Sequence, residues 1–176
     1  MRLPPLPAER WDDRTRAAFR TLLPAPRRNP EGAGPAMSVL AHHPELTEAF
    51  LGFSVYLLFR STLPPRVREL AILRVAHRTG CAYEWQHHAG FAATAGLSEA
   101  DIAAVREGTA ADAFDRVVLT AVDELLARTT LSDRTWAALG EQLADPQRMD
   151  LVFTVGGYSL LAMAFNTFGI TPEHER

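Results

Sequence analysis

The sequence of 176 residues contains no lysine, and all 18 of its basic side chains are arginine. Without lysine there can be no internal Schiff base, no lysine-bound pyridoxal phosphate and no phosphate-binding loop of the GxxxxGK[ST] type. The sequence also lacks a GxGxxG fingerprint, so nucleotide chemistry is not expected. Chemistry would therefore have to come from Cys, His, Glu, Asp, Tyr or Arg.

Cysteine is almost as scarce, because Cys81 is the single one. A lone cysteine forms no internal disulfide and cannot build a thiolate zinc site by itself. An excess of positive charge is also missing: the formal net charge is −3 and the pI is near 6.1. This balance predicts no nucleic-acid partner and no polybasic membrane patch.

Long apolar runs and a signal peptide are not evident either. The first residues, MRLPPLPAERW, have no apolar signal core. No apolar run approaches the roughly 18 residues that span a bilayer. We therefore expect a cytoplasmic protein without a membrane partner, whose partner is a small-molecule substrate.

What the sequence does contain is helical periodicity. Apolar residues recur at i, i+3, i+4 and i+7 along most of the chain, and no alternating stretch predicts a strand. Ser98 with Asp101 three residues later forms a capping box, and Ser132 is suited to cap a later helix. The last helix, predicted at about 146–168, is apolar on nearly all faces from Leu151 to Phe165, which predicts a buried helix and subunit contacts. The predicted fold class is all-α.

The predicted organisation has two parts. Residues 1–35 contain an N-terminal helix at about 8–23, followed by a Pro/Gly-rich linker at 24–35. Residues 36–170 form a helical domain. Within that domain Gly80 interrupts the helical pattern, and a new helix begins near Cys81.

Cys81, Glu84 and His88 lie on one face of this new helix. Glu84 and His88 at i, i+4 are able to hydrogen-bond, which orients the imidazole and raises its basicity. Cys81 would lie in the first turn, where the helix dipole favours a thiolate. The alternative without catalysis is that Glu84 and His88 form an ordinary pair on a solvated helix face and that Cys81 is a small buried apolar residue.

Residues 66–98, RVRELAILRVAHRTGCAYEWQHHAGFAATAGLS, resemble the signature of the carboxymuconolactone decarboxylase family, which includes alkylhydroperoxidase D-like proteins. The resemblance covers about residues 36–168. It implies an alkylhydroperoxidase D-like helical fold with a central helical hairpin around Gly80. It also implies a homo-oligomer, either a homotrimer or a homohexamer.

The peroxidase branch of this family has a Glu, then Cys-x-x-Cys, then a His four residues after the second Cys. By this resemblance Glu69 matches the Glu, Cys81 the first Cys and His88 the His. Glu84 stands where the second cysteine would be. Without a second thiol there is no dithiol–disulfide cycle within the motif, so two-cysteine peroxidase activity is not expected.

The decarboxylase branch implies a cofactor-independent lyase that acts on a small oxygenated carboxylic acid or lactone, with no metal. Loss of CO2 leaves a dienolate, which needs a stabilised oxyanion and a proton donor. By resemblance His88 is the leading acid–base residue, Glu84 is its partner, and Glu69 joins the relay. Cys81 would line the pocket.

Four further residues are candidates for substrate binding. Arg74 or Arg66 would hold a carboxylate through a bidentate fork. His42 would lie in a pocket wall, and Asn166 in an apolar helix would contact either substrate or a backbone group.

Several alternatives to the lyase remain open at this point. One is a one-cysteine peroxidase or redox protein that uses Cys81 and an external thiol. Another is a biosynthetic isomerase, cyclase or dehydratase with the same proton-transfer machinery. The last is a member of the family that binds a ligand without catalysis.

Overall fold

The computed structural model describes residues 1–172, and every regular element in that range is a helix. The predicted all-α class is confirmed. A π-helix, Tyr56–Arg60, follows the third α-helix, and short 3-10 helices lie at Ala8–Arg10 and Ala25–Arg27. The α-helices of this range are α1 (Asp13–Ala18), α2 (Pro30–Leu40), α3 (Pro44–Val55), α4 (Pro65–Arg78), α5 (Ala82–Thr94), α6 (Glu99–Glu107), α7 (Ala113–Arg128), α8 (Asp133–Leu139) and α9 (Asp145–Phe168).

The chain divides into two compact units. The first contains Met1–Arg60 and Thr167–Ile170, with α1 to α3. The second contains Ser61–Asn166, Thr171 and Pro172, with α4 to α8 and most of α9. The division into residues 1–35 and 36–170 stays a prediction.

In the first unit the N-terminal helix is shorter than predicted and the expected linker is partly helical. Trp11 stacks on Phe19 with ring centroids 5.2 Å apart, and both side chains are buried. The Asn29 side chain accepts from the Gly32 amide and so begins α2 inside the Pro/Gly-rich segment. Gly34, at φ 78°, kinks α2 in a backbone region that glycine enters at little cost.

The second unit is built around α4, which packs on α5, α6 and α7. Its middle turns are buried on all sides, from Glu69 to Ala76. Two of these buried residues, Glu69 and Arg74, are charged, and each must therefore find an ionic partner. The largest apolar residues of the surrounding core include Leu70, Ile72, Leu73, Leu119, Leu139 and Leu151.

The hairpin between α4 and α5 has the form that the sequence predicts. Helix α4 ends at Arg78, and Gly80 follows with φ at 64°, the left-handed conformation that ends many helices. Cys81 is the N-cap of α5. The capping box of Ser98 and Asp101 and the cap at Ser132 are confirmed as well. Because the hairpin is so short, α4 and α5 lie side by side.

Helix α9 differs from its prediction, because it is not buried on all faces within this chain. Met149, Phe153, Leu160 and Met163 are each more than half exposed and follow spacings of four, seven and three residues. By length and mean hydropathy α9 is also the one helix among residues 1–172 that could cross a membrane. A core helix of a soluble protein meets the same criteria. The cytoplasmic location and the trimer or hexamer stay predictions.

Candidate active site

A buried carboxylate from α4 begins the candidate site. Glu69 is fully buried, and its two oxygens have different partners. Nε of Arg68 donates to Oε1 at 2.9 Å, and Nδ1 of His88 donates to Oε2 at 2.7 Å. Both distances are those of charge-assisted hydrogen bonds. Glu69 therefore ties the start of α4 to the second turn of α5.

A second carboxylate faces the other nitrogen of the same imidazole. Nε2 of His88 lies 3.4 Å from Oε2 of Glu84, one turn earlier on α5. Only 5 % of the His88 side chain is exposed. The His88 ring also packs edge-to-face against Tyr158, with ring centroids 5.0 Å apart. The ring of Phe91 packs edge-to-face on the same imidazole at 5.4 Å, so the imidazole is held between two carboxylates and against two aromatic rings.

The protonation of His88 follows from these neighbours. Burial by itself lowers the pKa of His88, but the hydrogen bonds and negative charges of Glu69 and Glu84 outweigh it, so the pKa is raised. An imidazolium donates through both nitrogens, which matches a carboxylate on each side. With Arg68 included, the buried cluster contains two carboxylates and two cations.

The raised pKa of His88 predicts a pH-dependent stability. A group whose pKa rises on folding stabilises the folded state fully below its unfolded pKa, near 6.5 here. That contribution is lost as pH rises through the higher folded pKa. We expect the free energy of unfolding, measured by urea denaturation, to fall with pH above about 6.5. The His88→Gln variant should lack this slope, and an unchanged slope would contradict the assignment.

Cys81 does not have the reactive character that its place in the sequence indicates. Only 1 % of Cys81 is exposed. Burial raises the pKa of its thiol, and the negative charge of Glu84 raises it further, while the backbone N–H groups of Glu84 and Tyr83 lower it by less. The expectation of a stabilised thiolate is therefore wrong, because the spacing of residues carries no information about burial.

Tyr158 is a member of the cluster that sequence reasoning missed. It lies on α9, is 5 % exposed and contacts the His88 ring. Burial, followed by the charges of Glu84 and Glu69, raises the pKa of its phenol, so it stays neutral. The available signal in the sequence was a single tyrosine in the middle of a mainly apolar helix.

Arg74 is buried but is not part of this cluster. Its Nε and Nη2 donate to the two oxygens of Asp123 at 2.9 and 2.7 Å. Its Nη1 donates to the carbonyl oxygens of Val105 and Arg106. All three nitrogens are used in joining α4 to α6 and α7, so the structure corrects the prediction that Arg74 is placed to hold a substrate carboxylate.

Arg66 is engaged in the same manner. Its Nε and Nη2 donate to Asp115, and its Nη1 donates to the Gly96 carbonyl oxygen at 2.7 Å. Nη2 also lies 3.3 Å from Asp101. The predicted carboxylate fork of Arg66 is therefore already filled by partners within the chain.

The two remaining candidates also have backbone partners. Nδ2 of Asn166 donates to the Thr79 carbonyl oxygen at 2.8 Å. Of the two contacts predicted for Asn166, with substrate or with a backbone group, the structure has the second. In the first unit Nε2 of His42 donates to the Pro4 carbonyl oxygen at 2.9 Å. A role of His42 in substrate binding stays a prediction.

Within residues 1–172 there is no group of three or more His, Cys, Asp or Glu side chains placed to hold a metal ion. The lack of a cofactor stays a prediction.

An all-helical unit with a Glu on one arm of a central hairpin and a Cys and a His on the other has the alkylhydroperoxidase-like fold. Solved structures agree. The alkylhydroperoxidase AhpD core of a peroxidase-related protein from Ralstonia eutropha JMP134 has a TM-score of 0.75 at 19 % identity, over 98 % of this chain and 93 % of that one. A putative antioxidant defence protein AhpD from Agrobacterium tumefaciens has a TM-score of 0.69 at 22 % identity, and the match covers 76 % of this chain and 94 % of that one. The debrominase Bmp8 has a TM-score of 0.73 at 15 % identity, and the match covers 98 % of this chain and 92 % of that one.

A family model matches just under half of the chain. Residues 44–127 match the model of the carboxymuconolactone decarboxylase family. A search of curated proteins found no significant match. Together with the fold, this match makes the carboxymuconolactone decarboxylase family, within the AhpD-like superfamily, the family that the chain resembles.

Proposed function

We propose that this protein is a cofactor-independent lyase of the carboxymuconolactone decarboxylase type. It acts on a small oxygenated carboxylic acid or lactone by proton transfer through His88 and Glu84. The observation that supports this proposal is the placement of His88 between two buried carboxylates, with Nδ1 on Glu69 and Nε2 facing Glu84. Such an arrangement stores and moves a proton without a metal or an organic cofactor.

The geometry favours a definite order of proton transfer. Glu69 occupies Nδ1 of His88, so the imidazolium passes its proton from Nε2 toward Glu84. Both ring nitrogens are then engaged, and Glu84 is the group that exchanges a proton with the substrate. Glu69 acts through His88 by holding its ring and tautomer, so it is a positioning residue.

In the proposed reaction the bond between the substrate's carboxylate carbon and its neighbouring carbon breaks, and CO2 leaves. The electron pair of that bond moves into the conjugated carbonyl group and gives a dienolate. Protonated Glu84 then donates its proton to carbon, and His88 returns a proton to Glu84. Water reprotonates His88 and is left as hydroxide, so the sum is one carboxylate and one water converted into one C–H bond, CO2 and hydroxide, and the last two combine to bicarbonate.

Thiol chemistry at Cys81 is the second candidate function, and one of the similar solved structures favours it. A cysteine-to-alanine variant of the debrominase Bmp8 was solved with 2,3,4-tribromopyrrole. Here the thiol of Cys81 is buried and its pKa is raised, which disfavours this route. If Cys81 is a redox centre, intact mass spectrometry after peroxide treatment will show added oxygen; an unchanged mass supports the lyase.

The proposal is tested by the His88→Ala variant. With carboxymuconolactone and related lactone acids in D2O, the wild-type protein should release CO2 and incorporate deuterium at carbon. We expect His88→Ala to lose both activities while its helical circular dichroism is kept, because Glu84 then loses its proton source. Full activity in this variant would sink the proposal.

The matched control is His87→Ala. His87 is the preceding residue on the same helix, but its side chain is exposed and its ring packs on Tyr83 at 4.2 Å. Its loss should therefore leave the rates unchanged. Equal losses in both variants would indicate damage to α5 rather than to a proton relay.

A further inference from the structure

Arg68 differs from Arg66 and Arg74, which lie on the same helix, in how much of its guanidinium is used. Nε donates to Oε1 of Glu69 at 2.9 Å. Within residues 1–172 its two terminal nitrogens have no hydrogen-bond partner, although only 18 % of the side chain is exposed. In Arg66 and Arg74, by contrast, every guanidinium nitrogen is bound within the chain. Arg68 thus has donors left for a ligand.

These donors belong to the same buried cluster as the proton relay. The carboxylate that accepts from Arg68 also holds Nδ1 of His88, so a single carboxylate separates the guanidinium from the imidazole. The positive charge of Arg68 also reaches the phenol of Tyr158, whose pKa it lowers against the effects of burial, Glu84 and Glu69. Arg68, His88 and Tyr158 are therefore neighbours at one site.

We propose that Arg68 determines substrate specificity by binding an anionic oxygen of the substrate, in the first place a carboxylate. This inference rests on the proposed function and names the substrate class. When Nε is used by Glu69, the edge formed by Nη1 and Nη2 remains, and this edge presents two parallel N–H groups with the spacing of a carboxylate. A lysine in its place would be a point charge without this match.

The charge of the cluster agrees with this role. Glu69 and Glu84 would repel a carboxylate that entered without a cation beside it, and Arg68 supplies that cation. Decarboxylation then removes the group that Arg68 holds, because CO2 leaves as a neutral molecule. The product of a monocarboxylate substrate therefore binds more weakly than the substrate, which favours its release.

The test compares two probes that differ in one charge, 5-oxotetrahydrofuran-2-carboxylate and its methyl ester, by isothermal titration calorimetry. We expect the wild-type protein to bind the acid about 10- to 100-fold more tightly than the ester, as is typical of hydrogen bonds to a charged group. Arg68→Gln should bring the two affinities within about twofold of each other. Arg68→Met, which keeps the apolar stem, decides the question if Arg68→Gln does not fold.

The control is Arg78→Gln, on the same helix, where the exposed guanidinium pairs with Asp123. It should keep the full preference for the acid. The inference is overturned if the wild-type protein shows no preference, including the case in which neither probe binds, or if the preference persists without Arg68. If the wild-type protein prefers the acid but shows neither CO2 release nor deuterium incorporation with the lactone acids, Arg68 is an anion-binding residue and the proposed lyase is refuted instead.

Discussion

The Glu84→Gln variant is expected to turn over its substrate about 10²- to 10⁴-fold more slowly than the wild-type protein, the range typical for loss of a general acid or base. The amide has nearly the same shape as the carboxylate but neither accepts nor delivers a proton. It also removes one of the two negative charges that raise the pKa of His88. The substitution therefore affects both the terminal proton carrier and its supply.

The measurement is the rate of deuterium incorporation and CO2 release across a range of pH. Binding of the acid probe should be retained, because Arg68 makes its contact with Glu69 rather than with Glu84. Glu107→Gln makes the same chemical change at an exposed position of α6 and serves as the control. Unchanged turnover in Glu84→Gln would mean that His88 exchanges protons with the substrate directly, contrary to the order proposed.

The Glu84→Cys variant is expected to acquire dithiol chemistry that the wild-type protein lacks. It restores the Cys-x-x-Cys spacing of the peroxidase branch, with the new thiol one helical turn from Cys81 and next to Nε2 of His88. Loss of the Glu84 charge also removes one of the causes that raise the pKa of Cys81. A hydroperoxide should then oxidise the two thiols to a disulfide and be reduced to an alcohol and water.

This outcome is measured as loss of two hydrogens in the intact mass and as continued peroxide consumption when dithiothreitol is supplied. Adding Cys81→Ser to the variant should abolish both, which separates a disulfide from oxidation of a single thiol. If both thiols stay reduced under peroxide, the geometry of the hairpin does not support a disulfide, and the substitution at position 84 is not what separates the two chemistries.

The core of the site was accessible from the sequence because it is periodic. Spacing alone places Glu84 and His88 on one face of α5, and the motif adds Glu69 from the helix before. The left-handed glycine at Gly80 identifies the turn between the two helices. These features depend on local geometry, which a sequence specifies directly.

Other features depend on partners that lie far along the chain. Asp115, which accepts from Arg66, and Asp123, which accepts from Arg74, are each 49 residues away, so helical periodicity gave no sign that these arginines were already paired. Tyr158 contributes from the last helix, which no motif connects to His88. Burial of Cys81 and exposure of one face of α9 likewise depend on which helices pack together, and hydropathy does not determine that.

The proposed proton relay lies in one helical hairpin. Glu69 and His88 are 19 residues apart, and Glu84 is within one turn of His88. Contacts of such short range require the closure of one small loop, whose entropic cost is low, and they are the kind that form early in folding. The relay needs little from the rest of the chain beyond a dry environment. Changes in the surrounding helices can therefore alter the environment of this cluster while its contacts within the hairpin are kept; the fold itself is shared with solved structures at identities below 25 %.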